Sequence, residues 1–371
     1  MTAPEILLLT VAGGYQLFAL AACLKRLAFR EKPSTYTPPV SILKPVRGSD
    51  PNFSEAIRSH AEIEYPEYEI IFGVRDREDP AVPHLRRLIA AYPERDIRIV
   101  ISDTVMPNGK VGVLIDAYKV SKHPIILIND SDIKVQPDYL RKVVAPLERK
   151  EIGLVTCLYR ALGSTFPGWF EALGIDTDFA PSTLVAPFVG IDEFALGSTL
   201  AVRRSDLERI GGLEVLGDFI ADDYQLGHRI HQLGLKCYLA EPVVETHLGA
   251  ETFWDAWLHQ IRWARTIRAC RGDGYIGLPV TFASVWAALA LLLGYTGVGL
   301  AILAARMAMA LTSSLLVLRA RSGRAMLLLV PLRDFWSAII WLVGFKGRSV
   351  HWRDVLMELS KDGRIIRTQR V

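Results

Sequence analysis

Ile125-Ile126-Leu127-Ile128-Asn129-Asp130-Ser131-Asp132 is the stretch on which the fold turns. An apolar run reads as a short buried strand, and it ends in Asp-x-Asp. Two carboxylates two residues apart at a strand terminus can both turn toward one hard cation. Mg²⁺ prefers such a site, with few carboxylates and the remaining places filled by water and phosphate. Asp and Ser also favour plain polar turns. Placed after a strand in an alternating α/β region, the pattern is read here as metal-diphosphate binding.

Outward from this stretch, residues 38–277 are charged, rich in Gly and Pro, and alternate between strand-like and helix-like runs. Residues 40–43, 69–74, 97–101, 125–129 and 153–157 read as short buried strands, and 51–62, 83–92, 109–120 and 137–149 as the helices between them. Such alternation predicts an α/β fold with a mostly parallel sheet and helices on both faces. Ligands then bind at the carboxyl ends of the strands. Asp76 follows strand 69–74 at that edge, where a carboxylate can accept from a nucleobase or ribose. From this segment alone, a solvated acidic turn before Pro80 is the better reading.

Asp222 and Asp223 open an amphipathic run with Leu226 and Ile230 on one face. Either acid can cap a helix, and one can serve as a general base facing an acceptor hydroxyl. Further on, His259, Arg262 and Trp263 share a helix face at i, i+3 and i+4. Arginine and a flat aromatic suit a diphosphate leaving group and a sugar ring. The same run also suits a helix lying on a membrane, with Trp and Arg at headgroup level. His228, His231 and His247 show no metal spacing, Gly211-Gly212 reads as a helix stop, and Gly197-Ser198-Thr199 lacks the second Gly of GxSxG.

The 371 residues carry 43 basic and 40 acidic side chains, a net +3, which is too small to indicate nucleic acid. Half the residues are hydrophobic, which excludes a disordered or collagen-like chain. The apolar residues gather at the two ends. Residues 6–24 are uncharged and long enough to cross a hydrocarbon core, which needs about 20 residues. Lys25, Arg26, Arg30 and Lys32 follow, and the positive-inside rule places the central region in the cytoplasm. Residues 278–303 form a second uncharged stretch, continued by 307–318, then by a basic loop with Arg319, Arg321 and Arg324. Residues 325–345 are apolar except for Arg333 and Asp334, charges that call for a bend, an interfacial position or burial in a bundle. Two or three membrane segments are expected in 278–345. If the basic loop is cytoplasmic, 278–318 must be a re-entrant pair. The scattered cysteines Cys23, Cys157, Cys237 and Cys270 fit a reducing compartment.

Taken in order, these segments resemble family-2-type, processive-synthase-like glycosyltransferases with a GT-A fold. Within that group the chain is most similar to the ceramide glucosyltransferase family, including bacterial relatives that glycosylate hopanoids. The likeness runs through Val40-Ser41-Ile42-Leu43-Lys44-Pro45, Val74-Arg75-Asp76, Asp130-Ser131-Asp132, Gly197-Ser198-Thr199, Ala221-Asp222-Asp223-Tyr224 and Arg262-Trp263. It implies an N-terminal transmembrane anchor (1–30), a cytoplasmic GT-A catalytic domain (38–277), C-terminal transmembrane or interfacial helices (278–345) and a basic tail (346–371). It implies that Asp76 contacts the uridine, that Lys110 contacts the donor, and that Asp130 and Asp132 hold Mg²⁺ or Mn²⁺ on the diphosphate. Asp223 would be the base. Arg262 and Trp263 match the end of the family's (Q/R)xxRW motif, where His259 replaces the usual Gln or Arg. Gly112 and Val113 also depart from the pattern, since relatives usually carry Asn soon after the lysine.

The implied reaction is a single inverting displacement on a UDP-sugar by a lipid hydroxyl, at a cleft held at the headgroup plane. A lipid leaves the bilayer only at a cost of about 0.8 kcal/mol per exposed CH₂. The implied partners are a UDP-sugar, a membrane lipid acceptor and the bilayer, with no nucleic acid. The acceptor is ceramide-like or a hopanoid. A processive polysaccharide synthase would need a pore of several helices. A scaffold without catalysis would not need Asp-x-Asp.

Overall fold

The strands form where alternate side chains can be buried on opposite faces. In a computed structural model, which describes residues 2–50, 52–249, 251–320, 324–353 and 355–370, seven strands make one sheet. These are β1 (Val40–Pro45), β2 (Tyr68–Val74), β3 (Asp96–Ile101), β4 (Ile125–Ile128), β5 (Ile152–Gly163), β6 (Leu200–Arg203) and β7 (Lys236–Leu248). Their order is β3-β2-β1-β4-β6-β5-β7. The pairs β1–β2, β2–β3, β1–β4 and β5–β7 are parallel, and β6 runs antiparallel to both β4 and β5.

Ile125 and Leu127 of β4 enter one core together with Ile42, Ile70 and Phe72; Phe53, Ile57, Leu85 and Leu140 cover it from the helices on that face. Ile126 and Ile128 enter the other core with Leu43 and Ile71, against Val111, Leu114, Leu226 and Ile230. Each such fully buried aliphatic side chain is worth about 1.5–3 kcal/mol relative to exposure. This two-sided burial is why the strands read as unbroken apolar runs. The expected helix 137–149 is shorter: it spans Tyr139–Val144 and tightens into a 3₁₀ turn, Ala145–Glu148. Pro146 has no N–H with which to continue the α ladder. The helix expected from 51 begins at Phe53, and Pro51 lies outside the described residues.

Among the described residues three helices are long and apolar enough to cross a membrane: Pro4–Ala28, Thr296–Val317 and Arg324–Gly344. A fourth candidate, Gly272–Thr281 with Ala283–Leu292, is bent by 54°. The uncharged stretch from 278 is therefore broken. Its second break falls at Gly294, whose φ of 80° turns the chain back. Helices Ala283–Leu292 and Thr296–Leu311 then pack as a pair. Leu7, Leu17, Leu300, Leu316, Leu332 and Leu342 point outward from these helices. Arg333 and Asp334 point inward. Asp334 pairs with Arg306 at 2.6 Å, the side chains being 3% and 1% exposed. Of the basic loop, Arg321 lies outside the described residues.

Residues 346–371, whose sequence shows only a basic stretch, hold a second sheet. Its strands β8 (Ser349–Trp352), β9 (Val355–Leu359) and β10 (Ile365–Arg370) are antiparallel in the order β10-β9-β8. Val350, Val355, Met357, Leu359 and Ile365 form its core, against Ile220.

Candidate active site

The site begins where β4 stops. Asn129 is fully buried, and its amide donates to the Tyr139 hydroxyl at 3.0 Å and to Ser198 O at 2.6 Å. With Asn129 fixed, the chain turns and offers Asp130 to the cleft; the Asp130 side chain is 41% exposed. Lys110, in the helix Gly109–Lys119, lies between two acids, 2.8 Å from Asp130 Oδ1 and 3.1 Å from Asp222 Oδ2. Burial alone would lower its pKa, but Asp130, Asp222 and Asp223 outweigh burial and raise it. Lys110 is thus a fixed cation.

Asp222 and Asp223 start the helix Asp222–Gln232, as the sequence suggests. Asp223 accepts from Gly197 N–H at 3.0 Å and from Tyr224 N–H at 2.7 Å. Gly197 is where the acids meet: a Cβ placed on it would lie 3.2 Å from Asp130 Oδ2 and 3.2 Å from Asp223 Oδ2. The Asp223 carboxyl is pushed up to about 6 by burial and by its neighbour Asp222. Asp132 accepts from the Thr246 hydroxyl, and its pKa is raised by burial and by Asp130. Lys44 lies beneath the pair, with Nζ 2.9 Å from Asp130 O, and burial brings its pKa down to about 7.

The helix Phe253–Cys270 forms the opposite wall, its start fixed by a Thr252–Asp255 capping box. His259 and Trp263 are in ring contact at 4.6 Å. His259 Nδ1 meets Glu171 Oε1 at 2.5 Å, and the Glu171 side chain is 1% exposed. Arg262 has no ion-pair partner among the described residues, though the charges of Glu171 and Asp130 act on it. Two residues back on the same helix, Gln260 Oε1 accepts from Arg333 Nη2 and Trp336 Nε1, both at 2.9 Å. These donors belong to the apolar helix Val330–Gly344.

Asp76 stands exposed after β2, where its Oδ1 accepts from Glu78 N–H at 2.9 Å. It touches none of the other site acids among the described residues. Asp130, Asp132, Lys110 and Asp223 are brought together, with Arg262 on the facing helix.

Three contributors are not evident from the sequence. Glu171 lies in the apolar helix Phe166–Gly174, and an acid among such residues is its only signal. Lys44 is a lysine in an otherwise buried strand. Tyr159 of β5 packs on Phe179 at 5.3 Å, and burial and the charges of Asp223 and Glu171 raise its pKa. Nothing in a β-strand tyrosine marks it beforehand.

Among the described residues no cluster of three or more His, Cys, Asp or Glu side chains forms a cation cage. The acids fit a cation that keeps water and takes phosphate oxygens. Asp130 is open to the cleft, and Asp132 is a half-buried carboxyl whose raised pKa marks incomplete compensation of its charge. A Lewis-acidic ion at that edge can share the charge of a diphosphate with Lys110 and Arg262.

Comparison with known proteins agrees with this geometry. Glycosyl transferase family 21 matches residues 6–365. Ceramide glucosyltransferase 1 of Caenorhabditis elegans is 27% identical over 247 residues, 61% of this chain and 53% of its own length. Ceramide glucosyltransferase 3 of the same animal is 28% identical over 223 residues, 59% of this chain and 48% of its own. The chain spans about half the length of these curated relatives. A solved mannosyltransferase of Pyrobaculum calidifontis, in complex with GDP-Man and Mn²⁺, matches with a TM-score of 0.54 at 19% identity, covering 92% of this chain and 96% of that one. That likeness shows the fold: a GT-A-type, largely parallel sheet flanked by helices.

Proposed function

The chain belongs to glycosyl transferase family 21, and from that premise we propose that it is a membrane-bound inverting transferase moving a hexose from a UDP-sugar to a hydroxyl of a ceramide-like or hopanoid lipid. The observation that carries the reading is the meeting of Asp130 and Asp223 across Gly197, 3.2 Å on either side of its Cβ position. One carboxylate belongs to a diphosphate-holding pair and the other to a helix start facing the same space.

In the proposed reaction Asp223 takes the proton of the acceptor hydroxyl. The oxygen attacks the anomeric carbon from the side opposite the diphosphate, and the glycosidic bond to UDP breaks with its electron pair going to UDP. Asp130 and Asp132 would hold Mg²⁺ or Mn²⁺, which supplies neutralising charge at the diphosphate when bound. Lys110 and Arg262 add fixed positive charge where the leaving group gains negative charge. His259, held by Glu171, orients Trp263 as a surface for the sugar. Asp76 takes the uridine edge. The basic cluster after the first apolar helix supports a catalytic region (38–277) facing the cytoplasm, between an anchor (1–30) and the helices of 278–345.

A groove of about 320 Å³ supports the lipid acceptor. Phe166, Phe170, Phe253, Leu332, Trp336 and Ile339 line it, where helix Phe253–Cys270 meets Val330–Gly344. An acyl chain in that groove stays out of water while the headgroup enters the cleft.

Asp223→Asn tests the reading. Transfer to lipid extracts should drop by about 10²–10⁴-fold, with UDP-sugar affinity nearly unchanged. Turnover like wild type in this variant removes Asp223 from its role.

A further inference from the structure

The C-terminal sheet grips three separate walls of the site. β10 joins the segment before Asp222: Ile365 N–H donates to Asp218 O at 2.8 Å, and Ile220 N–H donates to Gly363 O at 3.1 Å. The segment leading into β8 is held by the helix of Arg262. Arg265 Nε donates to Lys346 O at 3.1 Å, and Arg268 Nη2 donates to Gly347 O at 2.7 Å. Beyond β8, Arg353 reaches the loop that follows β1. Its Nη2 donates to both oxygens of Asp50, at 3.0 and 2.7 Å, and its Nη1 lies 3.0 Å from where a Cβ of Gly48 would stand. Gly48 N–H in turn donates to both oxygens of Asp79, three residues beyond Asp76. Arg353 therefore comes down where the loops after β1 and β2 meet, at the carboxyl edge of the sheet.

Two further observations single it out. Its backbone has φ +53°, in the left-handed region that a non-glycine residue rarely enters. Its positive charge is also felt at Arg262, which has no carboxylate partner among the described residues. Two guanidiniums close enough to feel each other's charge repel, and an anion between them relieves that repulsion.

We propose that Arg353 is a donor-binding residue that leaves Asp50 and takes a phosphate oxygen of the nucleoside diphosphate, as a second guanidinium beside Arg262. The proposal rests on the nucleotide-sugar reading of the site. Carboxylate and phosphate both accept the planar fork of arginine, so the exchange replaces one charged acceptor with another. The Arg353 side chain is 35% exposed, so a ligand can reach it. Asp50 then serves as its resting place, and the C-terminal sheet as the arm that carries it.

UDP with Mg²⁺, titrated calorimetrically into the detergent-solubilised full chain, tests this. Arg353→Ala should weaken UDP binding by about 10–100-fold and raise the KM for the UDP-sugar more than it lowers kcat. Asp50→Asn should leave UDP affinity equal to or tighter than wild type, because it removes the competing acceptor. A purely structural bridge would lose equally from either side, so equal weakening in the two variants overturns the proposal. If Arg353→Ala fails to fold, Arg353→Lys decides. It keeps the charge and loses the fork, so weaker UDP binding supports the proposal and unchanged affinity overturns it. A wild-type chain that binds no UDP refutes the nucleotide reading itself, a different result from either.

Discussion

Replacing Asp334 by alanine should destabilise the protein by about 3–5 kcal/mol. Asp334 is almost fully buried and accepts from four donors. Arg306 Nη2 reaches its Oδ1 at 2.6 Å, and Arg306 Nε its Oδ2 at 3.0 Å. Ser284 N–H and the Ser284 hydroxyl reach its Oδ2 at 3.0 and 2.7 Å. The Arg306 guanidinium also donates to Thr177 O, so this one carboxylate ties Ala283–Leu292, Thr296–Leu311 and the segment after β5 together. Its removal leaves a buried guanidinium without its carboxylate partner and a buried helix-start N–H unpaired, and those groups set the size of the effect. Removing both charges behaves differently, because the guanidinium then goes with the carboxylate it pairs. Arg306→Met with Asp334→Leu should recover most of the loss, to within about 1 kcal/mol of wild type. Equilibrium unfolding in mixed micelles, read by tryptophan emission, measures both. The reasoning fails if Asp334→Ala unfolds where wild type does, or if the double variant is no more stable than the single one.

Three further outcomes are expected. The Asp223 carboxyl, pushed up to about 6, is protonated below that value and cannot accept a proton, so kcat should be level above it and fall about tenfold per pH unit below it, as initial rates across pH will show. Gly197→Ala puts a methyl carbon 3.2 Å from oxygens of both Asp130 and Asp223; the carboxylates must shift by a few tenths of an ångström, and kcat should fall about tenfold while thermal unfolding barely moves. On the proposed reading, substituting Leu332 and Ile339 together by serine should raise the KM for the lipid acceptor about tenfold and leave that of the UDP-sugar alone, which two-substrate kinetics in mixed micelles will separate.

The sheet's first half was legible because both of its faces are covered. Ile42 and Leu43, or Ile70 and Ile71, serve opposite cores, so the run stays apolar at every position. β7 escaped notice for the opposite reason. It lies at the sheet edge, and Lys236, Glu241, Pro242 and Glu245 break its pattern. An edge strand tolerates a proline, since one side of its ladder is unpaired. The site divides in the same way. Asp130 and Asp223 stand at element boundaries that the local pattern marks. Glu171 acquires its role from His259, 88 residues downstream, and Lys110 from Asp222, more than a hundred residues away. Neither pairing leaves a local trace. Asp76 was legible as a strand-end acid, but its exposed position shows no partner that would fix its role.

The amide of Gln260 holds two donors of the last apolar helix, two residues before Arg262 on the same rigid rod. A bilayer thinner or thicker than that helix prefers makes it tilt, and the stitch at Gln260 passes the tilt to the guanidinium proposed to meet the leaving phosphate. Acyl-chain length in the surrounding phospholipid thereby becomes an input to sugar transfer, and the enzyme should be fastest in vesicles whose hydrophobic span equals its own.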